Sequence, residues 1–259
     1  MRWADLRVFK TSLALGTVLL GLAVTTEAKS SKKKRPSQKA KPARSASLRQ
    51  PARAEKVAAP FAAVVIDAGH GGHDVGGIPQ NIIPEKDVAL DVAIRLQKHL
   101  DAAGLGTVMT RSDDTFVSLG ERVRIADQEK DAIFVSVHFN SALREAARGV
   151  EMFYGSPASA ALAQLIHRNL LTVTENPEPR GVKPAAFWVL RKTKLRAVLV
   201  ECGFLTNPED ACVALGEDHR ETLATQIAAA IVEYRKSLTG DEAARRAVSE
   251  PVPGALPGQ

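Results

Sequence analysis

The sequence predicts an α/β fold: a single domain on a twisted, mostly parallel sheet flanked by helices, of the phosphorylase/hydrolase-like kind. Two observations carry this expectation. Between residues 61 and 239, short apolar runs rich in β-branched residues alternate with stretches whose apolar residues recur at helical spacing, the pattern of a sheet covered by helices. Four polar clusters, spread over about 130 positions, each fall where an apolar run ends or a helix begins. In open α/β sheets, ligands and chemistry collect at the carboxyl ends of strands.

The elements follow in order. Ala62 to Ile66 is a continuous apolar strand. From Glu85 to Ala103, Val88, Val92, Leu96 and Leu100 recur every four residues with Ala89 and Ala93 beside them, marking one face of a helix that Gly104 ends. Thr107 to Thr110 is the second strand and Leu119 to Gln128 the second helix. Ala132 to Val137 and Val150 to Tyr154 are the third and fourth strands. Ala158 to Leu171 is a helix with Leu162, Leu165, Ile166 and Leu170 inward. Phe187 to Leu190 and Ala197 to Val200 read as further strands. A last helix spans about Glu221 to Leu238, with Leu223, Ile227, Ala230, Ile231 and Tyr234 on one face.

Charge divides the chain more sharply than its net of +6 suggests. From Lys29 to Lys56 there are eleven Lys or Arg and one acid, a local net of +10, without hydrophobic periodicity; residues 29–60 therefore read as a disordered basic linker. From Val57 onward, 21 basic residues face 26 acidic ones, so the domain itself, residues 61–239, is mildly acidic. Ahead of the linker, Arg2, Arg7 and Lys10 precede an uncharged, mostly apolar stretch from Thr11 to Val24, and Thr26-Glu27-Ala28 offers small residues at a cleavage site. Residues 1–28 read as a signal peptide, with an uncleaved anchor as the alternative. The domain is thus expected to be exported, and periplasmic or wall-associated. Residues 240–259, rich in Pro and Gly, read as a disordered tail. Two cysteines, Cys202 and Cys212, are too few for a disulfide scaffold and neither has a CxxC-type partner for a metal, while a single pairing between them stays open.

The polar clusters are Asp67-Ala68-Gly69-His70-Gly71-Gly72, Glu85, Ser136-Val137-His138-Phe139-Asn140 and Val200-Glu201-Cys202-Gly203-Phe204. Two histidines and a carboxylate suffice as ligands of a catalytic zinc, and a second carboxylate can serve as general base. His70 lies among glycines that allow close backbone approach; a phosphate-cradling loop is the alternative, but neither GxGxxG nor GxxxxGK[ST] spacing occurs. His73 is a rival ligand, read as a loop histidine because it lies farther from the strand end. Glu85 opens a helix, where complementing the helix dipole is an equally good reason for an acid. Glu201 directly follows a buried apolar strand, an expensive place for a charge without a function.

In these residues and their order (VVIDAGHGG, the helix start at Glu85, TRSDDTFVSLGERV, FVSVHFNSA and RGVKPAAFWVLRKTKLRAVLVECGFLTNPED) the chain resembles the zinc-dependent N-acetylmuramoyl-L-alanine amidases of the type 3 family, over nearly all of residues 62–237. The resemblance implies that His70, Glu85 and His138 are Zn²⁺ ligands and that Glu201 is the catalytic carboxylate. The bond cleaved would be the amide between the lactyl group of N-acetylmuramic acid and L-alanine of the peptidoglycan stem peptide. Asn140, Arg111 and Arg122 are candidate substrate contacts, with structural salt bridges an equal alternative for the arginines. Cys202 departs from the threonine or serine usual after the catalytic glutamate. Another zinc amide hydrolase, such as a peptidase, or a non-catalytic wall-binding relative are the competing readings. Partners expected are peptidoglycan and, through the basic linker, anionic envelope polymers; nucleic acid is not expected. Only about eight residues separate Glu151 from the next helix, too few for the blocking helix that some members insert there. An open site, a monomer and activity without an activator are therefore expected.

Overall fold

In the computed structural model, which describes residues 60–77, 83–175 and 180–249 (the last nine as backbone only), the apolar runs become one six-stranded sheet. The elements are β1 (Ala63–Ala68), α1 (Glu85–Ala102), β2 (Gly106–Met109), α2 (Leu119–Gln128), β3 (Ala132–Asn140), β4 (Glu151–Tyr154), a 3₁₀ turn (Pro157–Ser159), α3 (Ala160–Leu170), β5 (Val182–Pro184), α4 (Trp188–Lys192), β6 (Arg196–Phe204), α5 (Pro208–Leu215) and α6 (Glu217–Ser249). Strand order is β2-β1-β3-β6-β4-β5. All neighbouring pairs are parallel except β4–β6, which is antiparallel.

Alternation along each strand divides the core into two layers. Val64, Ile66, Ile133, Val135, Val198, Val200 and Met152 face the larger layer, covered by α1, α3 and α6. Helix α6 lies along both α1 and α3, which explains why Leu223, Ile227, Ala230, Ile231 and Tyr234 are all buried. Val65, Phe134, Ala197 and Leu199 face the other layer, packed with Val189 and Leu190 of α4 and Ala126 of α2. Two residues further along each strand this second face turns polar, with Asp67, Ser136, His138 and Glu201. The candidate site is built there.

Two expectations are corrected. Phe187 to Leu190 is no strand: Trp188–Lys192 is the short helix α4. Its neighbouring residues Val189 and Leu190 are both buried while Phe187 and Trp188 are exposed, a pairing that period-2 alternation cannot produce. Residues 240–249, expected in the tail, are helical instead, because α6 continues to Ser249. One glycine costs a helix about 1 kcal/mol, and the run Glu242-Ala243-Ala244-Arg245-Arg246-Ala247 consists of strong helix formers that carry it through. The proposed signal peptide and basic linker lie outside the described residues, apart from Pro60. No described helix is long and apolar enough to cross a membrane. Cys202 is buried in the larger layer, Cys212 is exposed, and both are free thiols.

Candidate metal centre and active site

The site begins with backbone strain. His70, two residues beyond β1, has φ of 60°, the left-handed region that favours glycine and costs other residues about 1–3 kcal/mol. Two buried arginines hold the loop in this conformation. Arg122 donates from Nη2 to the His70 carbonyl and from Nη1 to the Ala68 carbonyl, both at 2.6 Å. Arg111 donates to the carbonyls of Ala68 (3.0 Å), Gly69 (2.7 Å) and Lys86 (2.8 Å). Of the two readings open for these arginines, the geometry favours the structural one: both guanidiniums are buried and donate to backbone carbonyls and, from Arg122, to the Asp67 carboxylate. Arg122 also meets Asp67 Oδ1 at 2.6 Å, while Thr110 and Ser136 each donate to the same carboxylate at 2.7 Å. Burial alone would raise the Asp67 carboxyl, but Arg122 and these hydroxyls hold it below the ordinary range.

Glu85 is delivered by the start of α1. The Glu85 and Lys86 N–H groups, which no helical turn can satisfy, donate to the carbonyls of Gly77 and Val75. Helix and loop are thereby joined. Glu85 Oε1 lies 3.0 Å from His70 Nε2 and 2.9 Å from His138 Nδ1, and accepts from the Phe139 N–H at 3.1 Å; Oε2 accepts from the Gly77 N–H at 2.9 Å. Burial would raise this carboxyl, yet hydrogen bonds from His138 and His70 outweigh it and keep Glu85 ionised far into acid. The far nitrogen of His70, Nδ1, meets Asp74 Oδ1 at 2.9 Å. A carboxylate on the outer nitrogen orients a ligating imidazole and raises its basicity. His73 takes no part: its ring packs against Phe116, with centroids 4.1 Å apart.

This donor set fits a single cation. One ligand atom from each of His70, Glu85 and His138 lies within 4.8 Å of the others. The nitrogen-to-oxygen separations of 2.9 and 3.0 Å are close to the edge, about 3.3 Å, of a tetrahedron with zinc-like bond lengths. Close packing defends the geometry. A Cβ on Gly69 would stand 2.4 Å from the His138 ring, and one on Gly76 2.6 Å from Glu85 Oε2.

Glu201 completes the site from β6. It pairs in register with His138 on β3 and with Glu151 on β4, so all three point to the same face. Its Oε2 is buried and has no hydrogen-bond partner among the described residues. Burial first, then the nearby Glu85 and Glu151 carboxylates, push its carboxyl up to about 7 against the opposing pull of His138 and His70. Such a group can both accept and release a proton near neutrality. Asn140 donates to Glu151 Oε2 at 3.1 Å, and Lys183 donates to Glu151 Oε1. On the opposite flank, a cavity of about 290 Å³ opens between His70, His138, Phe116, Leu119 and Val189.

The roles of Asp67, Asp74 and Glu151 do not emerge from the sequence reading. Asp67 and Glu151 carry the signal that exposes Glu201, a carboxylate beside a buried β-run.

The donor set defines a class: an α/β domain with a one-cation cradle beside an unpartnered carboxylate. The chain belongs to the N-acetylmuramoyl-L-alanine amidase family, whose model matches residues 64–233. It is 36% identical over 174 residues to the N-acetylmuramoyl-L-alanine amidase LytC of Bacillus subtilis, a match covering 66% of this chain and 35% of LytC. The chain thus spans about a third of LytC's length. Among solved structures, the catalytic domain of CwlV, an N-acetylmuramoyl-L-alanine amidase from Bacillus (Paenibacillus) polymyxa var. colistinus, superimposes with a TM-score of 0.63 at 37% identity, covering 67% of this chain and 98% of that one. The CwlD amidase from Clostridioides difficile, solved in complex with the GerS lipoprotein, gives a TM-score of 0.65 at 27% identity, covering 68% and 98%.

Proposed function

We propose that this protein is a peptidoglycan hydrolase that cleaves the amide between the lactyl group of N-acetylmuramic acid and L-alanine of the stem peptide. The observation that carries the reading is the unpartnered, buried Glu201 carboxylate beside the His70–Glu85–His138 cradle, in a chain of this family. The three cradle residues would hold Zn²⁺, which when bound supplies Lewis acidity to water and to the amide carbonyl. Glu201 accepts a proton from the attacking water and returns it to the L-alanine nitrogen as the C–N bond breaks. The products are a lactyl carboxylate and a free amine. Burial suits Glu201 to both halves of this transfer, since it brings the carboxyl close to neutral pH. Asp74 orients His70, and Arg111 and Arg122 hold the loop that carries it.

We further propose export through residues 1–28 and attachment to anionic envelope polymers through the basic segment 29–56. Digesting purified peptidoglycan with the zinc-loaded protein and weighing the fragments tests the reaction. Free N-terminal L-alanine on released peptides, with intact glycan strands, is expected; cleavage within the peptide or the glycan would overturn it.

A further inference from the structure

Lys183 stands out on the flank of the site away from the cradle. It lies on β5, two strands from Glu201, and its side chain is 51% exposed. Its ammonium is nevertheless anchored, because it donates to Glu151, a carboxylate with 7% of its side chain exposed that Asn140 holds by its other oxygen. Glu151 pairs directly with Glu201 across β4–β6, and Lys183 with Phe153 across β4–β5, so Lys183, Glu151 and Glu201 occupy one face. An ammonium has three donors, and Glu151 takes one.

We propose that Lys183 binds the carboxylate of the stem-peptide residue that follows L-alanine, with Glu151 and Asn140 as its positioning residues. The inference rests on the amidase reading and adds an orientation to it. Chemistry supplies the direction. The muramyl half of the substrate is uncharged near the scissile bond, whereas the peptide half carries carboxylates. The cavity on the opposite flank, though it borders Asp67, Asp74 and Arg122, exposes mostly apolar surface from Phe116, Leu119 and Val189 and suits the neutral half. Reach agrees: strands lie about 4.8 Å apart, and Lys183 leans back towards Glu151. Its free donors therefore stand about one to two strand spacings from Glu201, the span of one to two extended residues at about 3.5 Å each. Glu151 keeps an otherwise flexible lysine in one position, so the fixed charge selects substrate.

The test uses soluble, uncrosslinked peptidoglycan strands whose isoglutamate carboxyl is either free or amidated. The purified, zinc-loaded protein is expected to favour the free acid by about tenfold in kcat/KM, with the difference in KM. Lys183→Gln should bring the two substrates to parity. The double variant Lys183→Gln/Glu151→Gln, which leaves no buried carboxylate without its partner, should give the same parity if the single variant folds poorly. A wild-type protein without preference, or a folded variant that keeps it, overturns the inference while leaving the amidase reading intact. Cleavage of these strands only within the peptide or the glycan overturns both.

Discussion

Arg122 on α2 and Asp67 at the end of β1 form an ion pair at 2.6 Å, buried almost completely on both sides. The same guanidinium fixes the strained His70. Stability and site geometry therefore depend on one contact. Leaving one member of a buried pair uncompensated costs about 3–5 kcal/mol, so Asp67→Asn should lower the urea midpoint strongly. Because the folded-state value of Asp67 lies below its ordinary 3.8, its contribution is complete above that pH and is lost as pH falls through the lowered value. The gap between wild type and Asp67→Asn should be wide at pH 7 and close in strong acid. A gap that does not change with pH would refute the role given to this carboxylate.

Gly69 tests the cradle without replacing any of its three residues. Its φ lies outside the left-handed region, so only space forbids a side chain, and a methyl group would meet His138 Cε1 at 2.4 Å. Gly69→Ala should cost about 1–3 kcal/mol in overpacking. It should also weaken zinc binding, measured by calorimetry, by about 10- to 100-fold. Unchanged affinity would mean that His138 is not a ligand.

Glu201→Gln separates proton transfer from metal binding. Zinc should remain bound while turnover is nearly abolished; His70→Ala and His138→Ala should lose the metal as well. A second readout needs no substrate. The folded-state value of Glu201 is raised from 4.5 to about 7, so its ionisation opposes folding: stability is full below 4.5 and falls as pH rises through 7. In metal-free protein, Glu201→Gln should be about as stable as wild type at pH 4 and more stable at pH 8, by about 3 kcal/mol at most. Equal stability at both would contradict the burial argument.

Between Tyr154 and Ala160 the chain makes only a short link and one 3₁₀ turn. No blocking helix can form in that space, since each turn of helix takes about 3.6 residues and its connections need several more. The isolated, zinc-loaded protein should hydrolyse wall material unaided. The neighbouring CwlD structure contains a lipoprotein partner, so the contrary outcome is concrete: folded, zinc-loaded protein that stays silent until a partner is added.

Much of this was legible in the residues. The bounds of α2 agree with the sequence reading at both ends, because Ser118 caps its start through the Glu121 N–H. Strands β3 and β6 run three and four residues beyond their apolar runs. Hydropathy cannot mark those extensions, since His138, Asn140 and Glu201 are polar residues on the polar half of a face. Strand β5 escaped notice because it is three residues long and ends in Pro184, tolerable only at an edge. Four apolar residues from Phe187 carry too little period to separate helix from strand. The two readings of Arg111 and Arg122 stay open in the sequence for a related reason: a cation near a site looks the same there whether it faces substrate or a backbone carbonyl.

The strand order has a consequence in time. Strand β6 comes last in the chain but lies between β3 and β4. Without it, β2-β1-β3 and β4-β5 share no strand pairing, and joining them takes contacts between distant parts of the sequence, which form slowly in folding. The cradle belongs to the first piece, the anchored lysine to the second, and Glu201 to the strand that joins them. A chain in which β6 has not yet docked has the residues of the cradle but lacks Glu201 beside them. The proton transfer proposed for Glu201 therefore waits until the last strand closes the sheet.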